Sequence, residues 1–188
     1  PPALRQRRLQ AAIEGVASRQ EELLSIALVD AQGAALTPGR GDPSFAAWRG
    51  PQASLSVGPL QRDEGGQWAL PLARRFDGER WLLAWLHPRA IDAMIRDLDI
   101  GRDGIVTVLG RDGVVLARLP EGRDGSIVGR GTALPPEPGT SRGTGQGRRV
   151  SEIDGIERFT SFSATSGYDL VVVAGLSVRE VLMPWYRN

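Results

Sequence analysis

Alternating apolar and polar positions predict β-strands along most of this chain. The alternation is clearest at residues 67–76 and 80–86, and the Asp77-Gly78 pair between them is typical of a tight hairpin turn. Helical spacing of apolar residues is found at 4–24. Short helices are predicted at 90–97 and 178–183, and further strands at 25–30, 34–37, 55–60, 104–110, 114–119, 150–153, 156–164 and 170–175.

The same order of elements occurs twice along the chain. A hairpin, a loop, two strands and a short helix occupy residues 25–97, and a similar series occupies 104–183. Neighbouring strands joined by short turns predict an antiparallel sheet in each series. We therefore predict an α+β fold of two tandem modules, 25–100 and 101–188, preceded by a long helix within 1–24. The Gly- and Pro-rich segments 38–54 and 120–148 are predicted to be mostly loops.

Composition narrows the possible functions. The chain has no cysteine, which excludes disulfides, thiolate metal sites and cysteine nucleophiles. Its 23 basic and 22 acidic residues alternate along the chain, so a nucleic-acid partner is not expected. His87 is the single histidine, so we expect no multi-histidine metal site and no cofactor. The chain lacks an initiating methionine and an apolar run long enough to span a membrane, and we interpret it as part of a longer protein.

A series of short signatures resembles the double Cache sensor domain, a tandem of two PAS-like modules. They include GQWALPLARR at 66–75, LDIG at 98–101, GRDGVVLAR at 110–118, IDGIER at 153–158 and YDLVVVAGLS at 168–177. The resemblance extends over about residues 25–185 in the same order. One signature is missing, because residues 42–49 lack the Arg-x-Trp-Tyr pattern of the amino-acid-binding branch. Amino-acid sensing is therefore not expected.

The resemblance implies a sensor that is not itself an enzyme. Such domains lie on the periplasmic side of an inner-membrane protein, between two transmembrane helices, and control histidine kinases, chemoreceptors or GGDEF-type diguanylate cyclases. This chain looks most similar to the versions on cyclic-di-GMP enzymes. The module at 25–100 would be membrane-distal and the module at 101–188 membrane-proximal. The N-terminal helix would leave the first membrane span and form a homodimer, and Trp185-Tyr186 would lie near the second span.

Arg74 is the leading candidate for a ligand-binding residue. If the face of its strand that carries Trp68 and Leu70 is the core face, Arg74 points inward and needs an anionic partner. That partner is either an anionic small-molecule ligand or an internal carboxylate. Trp residues concentrate in the first module, where they either line a pocket or fill the core. The predicted ligand-binding residues are Arg74, Trp68, Trp48, Arg49 and Trp85.

Three functions follow from these observations. The first is a sensor of a small-molecule ligand. The second is a ligand-free dimerisation or interaction module, which the short segment 38–54 favours. The third is a cofactor-bearing PAS-type switch, against which the single histidine and the absence of cysteine argue. An enzyme is not expected, because no acid/base pair or nucleophile motif is recognisable.

Overall fold

The computed structural model describes residues 10–12, 15, 19–50, 55–121, 127–133, 144–165, 168–183 and 185. The chain divides into two compact units, Pro1–Pro88 and Arg89–Asn188. This division precedes the boundary expected near residue 100, and it assigns the helix that follows Pro88 to the second unit. Among the described helices, none is long and apolar enough to cross a membrane.

The first unit contains a five-stranded antiparallel sheet. Its strand order is β1-β5-β4-β2, and β3 pairs with the other part of β4. A one-turn helix, α1, lies in the segment before β2. The elements are β1 (Leu23–Val29), α1 (Phe45–Trp48), β2 (Ser56–Val57), β3 (Gln61–Arg62), β4 (Trp68–Asp77) and β5 (Arg80–Leu86).

The core of the first unit lies on one face of this sheet. The large side chains of β5 on that face pack beside small residues of β4, since Ala73 lies opposite Leu83. Bulky tryptophans on one strand leave room only for small side chains on the next. The core cluster is Ala27, Val29, Phe45, Ala69, Ala73, Trp81, Leu83 and Trp85.

The second unit contains another five-stranded antiparallel sheet, of order β7-β6-β10-β9-β8. Its central strand β10 pairs with β6 on one side and with β9 on the other. The elements are α2 (Arg89–Ile95), β6 (Ile105–Gly110), β7 (Val115–Leu119), β8 (Thr144–Val150), β9 (Glu157–Ala164), β10 (Leu170–Ser177) and α3 (Val178–Leu182).

The predicted α+β class with two antiparallel sheets is confirmed, and several boundaries are corrected. The strand predicted at 150–153 lies earlier, because residues 144–150 pair along β9 although their sequence is Gly- and Arg-rich. The hairpin strand at 34–37 is reduced to a single bridge between Val29 and Ala35. A long helix over 4–24 is not shown: residues 10–12 and 15 are helical, most of the others fall outside the described residues, and β1 already begins at Leu23.

Candidate functional site

The segment before β2 is positioned by a close backbone contact at Gly33. Gly33 has a φ of +87°, and a Cβ there would lie 2.0 Å from the carbonyl oxygen of Asp42. The amide of Asp42 in turn donates to the carbonyl of Gly33 at 2.9 Å. Only glycine allows this approach at a positive φ. The contact brings Asp42 and the helix α1 that follows it to the core side of the sheet.

Asp42 organises the polar side of this segment. Its side chain is 1% exposed and accepts hydrogen bonds from the amide and hydroxyl of Ser44 at 2.8 and 2.7 Å. It also accepts from the indole Nε1 of Trp48 at 2.8 Å and from Nε2 of Gln61 at 3.3 Å. A buried carboxylate with several donors is a rigid anchor. Asp42 therefore fixes the orientation of Trp48.

Arg49 lies at the end of α1 against aromatic rings. Its guanidinium carbon is 5.7 Å from the ring centroid of Trp81 and 6.0 Å from that of Phe45. The Phe45 ring meets Trp48 and Trp81 edge-to-face, with centroids 5.1 and 5.5 Å away. Within the part of the chain that the structure describes, no ion pair to Arg49 is formed, and residues 51–54 that follow contain no acidic side chain. We call Phe45, Trp48, Arg49 and Trp81 the arginine shelf.

A half-buried guanidinium on an aromatic surface is suited to binding an anion. The rings remove water from one side of the cation, which strengthens its attraction for a negative group. The planar fork of donors matches a carboxylate or a phosphate. The arginine shelf is therefore suited to binding a carboxylate or a phosphate group.

Trp85 contributes to a second feature of the first unit, a groove of about 560 Å³. Its ring is 1% exposed, and its Nε1 donates to the carbonyl oxygen of Arg40 at 3.1 Å. The guanidinium of Arg40 lies 3.7 Å from the Trp85 ring centroid and covers it. Asp63 and Glu64 line the same groove. Trp85 is thus mainly a core residue whose polar edge is already satisfied.

The structure places Arg74 and Trp68 on the opposite face of β4. Ala69 and Ala73 belong to the aromatic core cluster on the other face. Leu70 on the Trp68 face is also buried, but Arg74 lies further along the strand and is exposed, so the expected inward orientation of Arg74 is not found. Trp68 is half-buried beneath the guanidinium of Arg62, 4.0 Å from its ring centroid. Of the five predicted residues, Trp48, Arg49 and Trp85 therefore share the core side, while Trp68 and Arg74 do not.

Two residues that shape this region were missed in the sequence. Asp42 precedes Pro and Ser, a pattern typical of a turn in which the carboxylate accepts from the amide two residues later. That signal predicts the bond to Ser44, but it does not predict the bond to Trp48. Arg40 gave no sequence signal, because its stacking partner Trp85 is 45 positions away. In the described ranges, no group of three or more His, Cys, Asp or Glu side chains is arranged to hold a metal ion.

No protein-family model matches this chain, and no curated protein sequence matches it. Solved structures do match. The extracellular domain of a candidate histidine kinase, rpHK1S-Z16, superimposes with a TM-score of 0.66 at 21% identity, covering 94% of this chain and 80% of that one. The ligand-binding domain of the Pseudomonas aeruginosa PAO1 amino-acid chemoreceptor PctB, in complex with L-Arg, gives a TM-score of 0.59 at 18% identity, covering 96% and 76%.

A third match is the ligand-binding domain of Mlp24 with asparagine, at a TM-score of 0.51 and 13% identity, covering 95% of this chain and 79% of that one. These neighbours are extracellular sensor domains of chemoreceptors and histidine kinases, some of them with bound amino acids. At this level of identity the likeness establishes a shared, Cache-like fold.

Proposed function

We propose that this chain is the ligand-sensing extracytoplasmic part of a bacterial transmembrane receptor. In this proposal it is tethered to the inner membrane, dimerises through the N-terminal helix, and controls a histidine kinase or a cyclic-di-GMP enzyme. The chain itself binds and transmits but performs no reaction. The class of role is supported by neighbours that are sensor domains of chemoreceptors and histidine kinases.

The observation that carries the proposal is the arginine shelf. Arg49 is half-buried on the rings of Phe45 and Trp81 without a carboxylate partner in the described ranges. A ligand with a carboxylate or phosphate would complete this site. The proposed ligand is therefore a small anion-bearing molecule. Preferential binding of the ligand to one of two receptor conformations would give the receptor its signal.

A second function has one specific observation in its favour. Phe45, Trp81, Leu83 and Trp85 are all buried and fill the core face of the first unit. Such filling favours a ligand-free interaction module, in which the first unit binds no small molecule and acts only through contacts with other protein chains. This alternative predicts that no small molecule stabilises the chain through Arg49.

A thermal-shift screen of the purified chain against organic acids, amino acids and phosphate esters tests the proposal. A ligand that binds only the folded state at about 100 times its Kd stabilises by about 2.7 kcal/mol. For a chain of this length that is a rise of about 5–10 °C in melting temperature. Arg49→Gln should abolish the rise. Arg111→Gln is the matched control, because this arginine side chain is 79% exposed and belongs to the second unit.

Arg74→Gln decides between the two arginines that were predicted to bind the ligand, Arg49 and Arg74. Loss of the shift in Arg74→Gln but not in Arg49→Gln would move the site to the opposite face of the sheet and contradict the arginine shelf. Loss in Arg49→Gln alone supports it. If no ligand raises the melting temperature of the folded chain, the ligand-free interaction module becomes the better account.

A further inference from the structure

The second unit contains a cavity of its own, about 150 Å³ in volume. It lies on the face of the sheet to which Thr107 and Val173 project, since these two residues are directly paired between β6 and β10. The segment that follows β8 covers it. The residues that line it and matter here are Ile105, Thr107, Arg118, Ser151, Phe162 and Val173.

The cavity exists because β10 carries small residues on its inner face. β10 corresponds to β5 of the first unit, since each lies between the first strand of its unit and a long neighbouring strand. The inner face of β5 is filled by two tryptophans and a leucine, whereas the equivalent positions of β10 are two valines and Gly175. Large rings thus fill this face of the first unit, whereas the second unit has a cavity beside Val173.

Two buried arginines share one carboxylate beside this cavity. The side chains of Arg118 and Arg158 are 4% and 2% exposed, and that of Asp154 is 30% exposed. Arg158 donates to both carboxylate oxygens of Asp154 at 2.8 and 2.9 Å, and Arg118 donates to one of them at 2.6 Å. Two positive charges face one negative charge in this cluster. The other charged side chains that line the cavity, Arg149 and Glu152, are opposite in sign, so an excess positive charge remains. Such an excess attracts a further anion.

Arg118 is the buried arginine that lines the cavity, which the exposed Arg149 also lines, and Arg118 has donors to spare. Its hydrogen bonds to other described residues go to Asp154 and to the hydroxyl of Thr107 at 3.1 Å. A guanidinium has about five N–H donors, so these two bonds leave most of them available. The Thr107 hydroxyl accepts from Arg118 and keeps its own proton to donate. Burial lowers the pKa of Arg118, but an arginine stays protonated in proteins.

We propose that this cavity binds a short-chain carboxylate. The carboxylate would accept hydrogen bonds from Arg118 and Thr107, while the carbon chain packs against Ile105, Phe162 and Val173. The volume of about 150 Å³ accommodates a molecule the size of benzene, of about six non-hydrogen atoms. Acetate, propionate, lactate and pyruvate are within this size. The site is separate from the arginine shelf, and it would make the second unit a sensor in its own right.

Titration of the whole chain with acetate, propionate, lactate and pyruvate, followed by calorimetry and by amide NMR shifts, tests this inference. Saturable binding of at least one acid is expected, with shifts at Thr107, Arg118 and Ser151. The corresponding neutral amides should not bind. Arg118→Lys should weaken binding about ten- to hundredfold, since it loses charged hydrogen bonds. Arg111→Gln is the control and should leave binding unchanged.

Two further variants keep the test decisive. Val173→Phe fills the cavity without altering any charge, so a folded Val173→Phe protein should no longer bind the acid. Arg49→Gln should retain it, which separates this inference from the proposed function. The inference is overturned if none of the acids binds, if the amides bind equally well, or if the shifts lie around the arginine shelf alone. If Arg118→Lys does not fold, the NMR shifts of the unaltered chain still show whether the acid binds in this cavity.

Discussion

Replacing Asp154 with asparagine should destabilise the second unit. The loss should be larger than for the same substitution at an aspartate whose ion pair is exposed. The substitution keeps the shape of the side chain but removes its charge. It leaves the guanidinium groups of Arg118 and Arg158 buried next to each other, with Thr107 and the carbonyl of Asp103 as their remaining partners. Three charge-assisted bonds at 2.6, 2.8 and 2.9 Å are weakened or lost.

The size of the effect follows from the burial of the pair. Removing one partner of a fully buried ion pair costs about 3–5 kcal/mol, because an uncompensated charge remains in the interior. The Asp154 side chain is 30% exposed, so water can replace part of its interaction. We therefore expect a loss of about 2–4 kcal/mol, which is about 1 kcal/mol less than for a fully buried pair. For a chain of this length the melting temperature should fall by about 4–16 °C.

The matched control is Asp77→Asn in the first unit. Asp77 also pairs with an arginine, Arg80, but their side chains are 45% and 49% exposed. Thermal unfolding by circular dichroism at neutral pH should show little change for Asp77→Asn and a clear fall for Asp154→Asn. Equal melting temperatures for the two variants would refute the argument that burial makes the Asp154 pairs strong.

Two other predictions concern pH and backbone conformation. Burial alone would raise the pKa of Asp154, but bonds from Arg158, the Ile156 amide and Ser151 outweigh it and hold the pKa well below its usual range. Its stabilisation is complete above the unfolded-state pKa of about 4 and is lost as the pH falls below it, so the difference in melting temperature between the unaltered chain and Asp154→Asn should shrink in acid. Gly33→Ala should cost clearly more than Gly66→Ala in urea denaturation, although both glycines have positive φ, of 87° and 78°. Gly66 has open space around it, so the Gly66→Ala substitution costs only about 1–2 kcal/mol, which is the strain of a side chain at a positive φ. Equal losses would show that the contact between residue 33 and the carbonyl of Asp42 is unimportant.

Local patterns in the sequence were sufficient for most strands of the two sheets and for the turn between β4 and β5. Asp77-Gly78 joins β4 to β5 as predicted, and Gly78 has the positive φ of 41° that the turn requires. Apolar runs bounded by turn residues also located β6, β9 and β10. These features depend on neighbouring residues only, because side chains alternate along a strand and tight turns select glycine. The repeat of the two series likewise predicted two antiparallel sheets.

Pairing between residues far apart in the sequence determined the features that local patterns did not predict, which are strand β8 and the candidate sites. β8 has no alternation, yet it forms along β9 because Gly145 lets the Phe162 ring lie across it, where a Cβ would be 2.5 Å away. The candidate sites depend on pairing in the same way. Asp154 meets Arg118 across 36 positions of sequence, and no local signal marks that contact.

The sequence by itself determined that the two faces of β4 differ, and tertiary structure alone decided which face carries the aromatic core cluster. Trp68 and Leu70 made one face look like the core, but Trp81 and Trp85 of the neighbouring strand occupy the other side and select the small residues there. Alternation reports only that side chains point to opposite faces. The core cluster lies on the face onto which distant side chains pack, and for this reason Arg74 lies outside it and Arg49 against the rings.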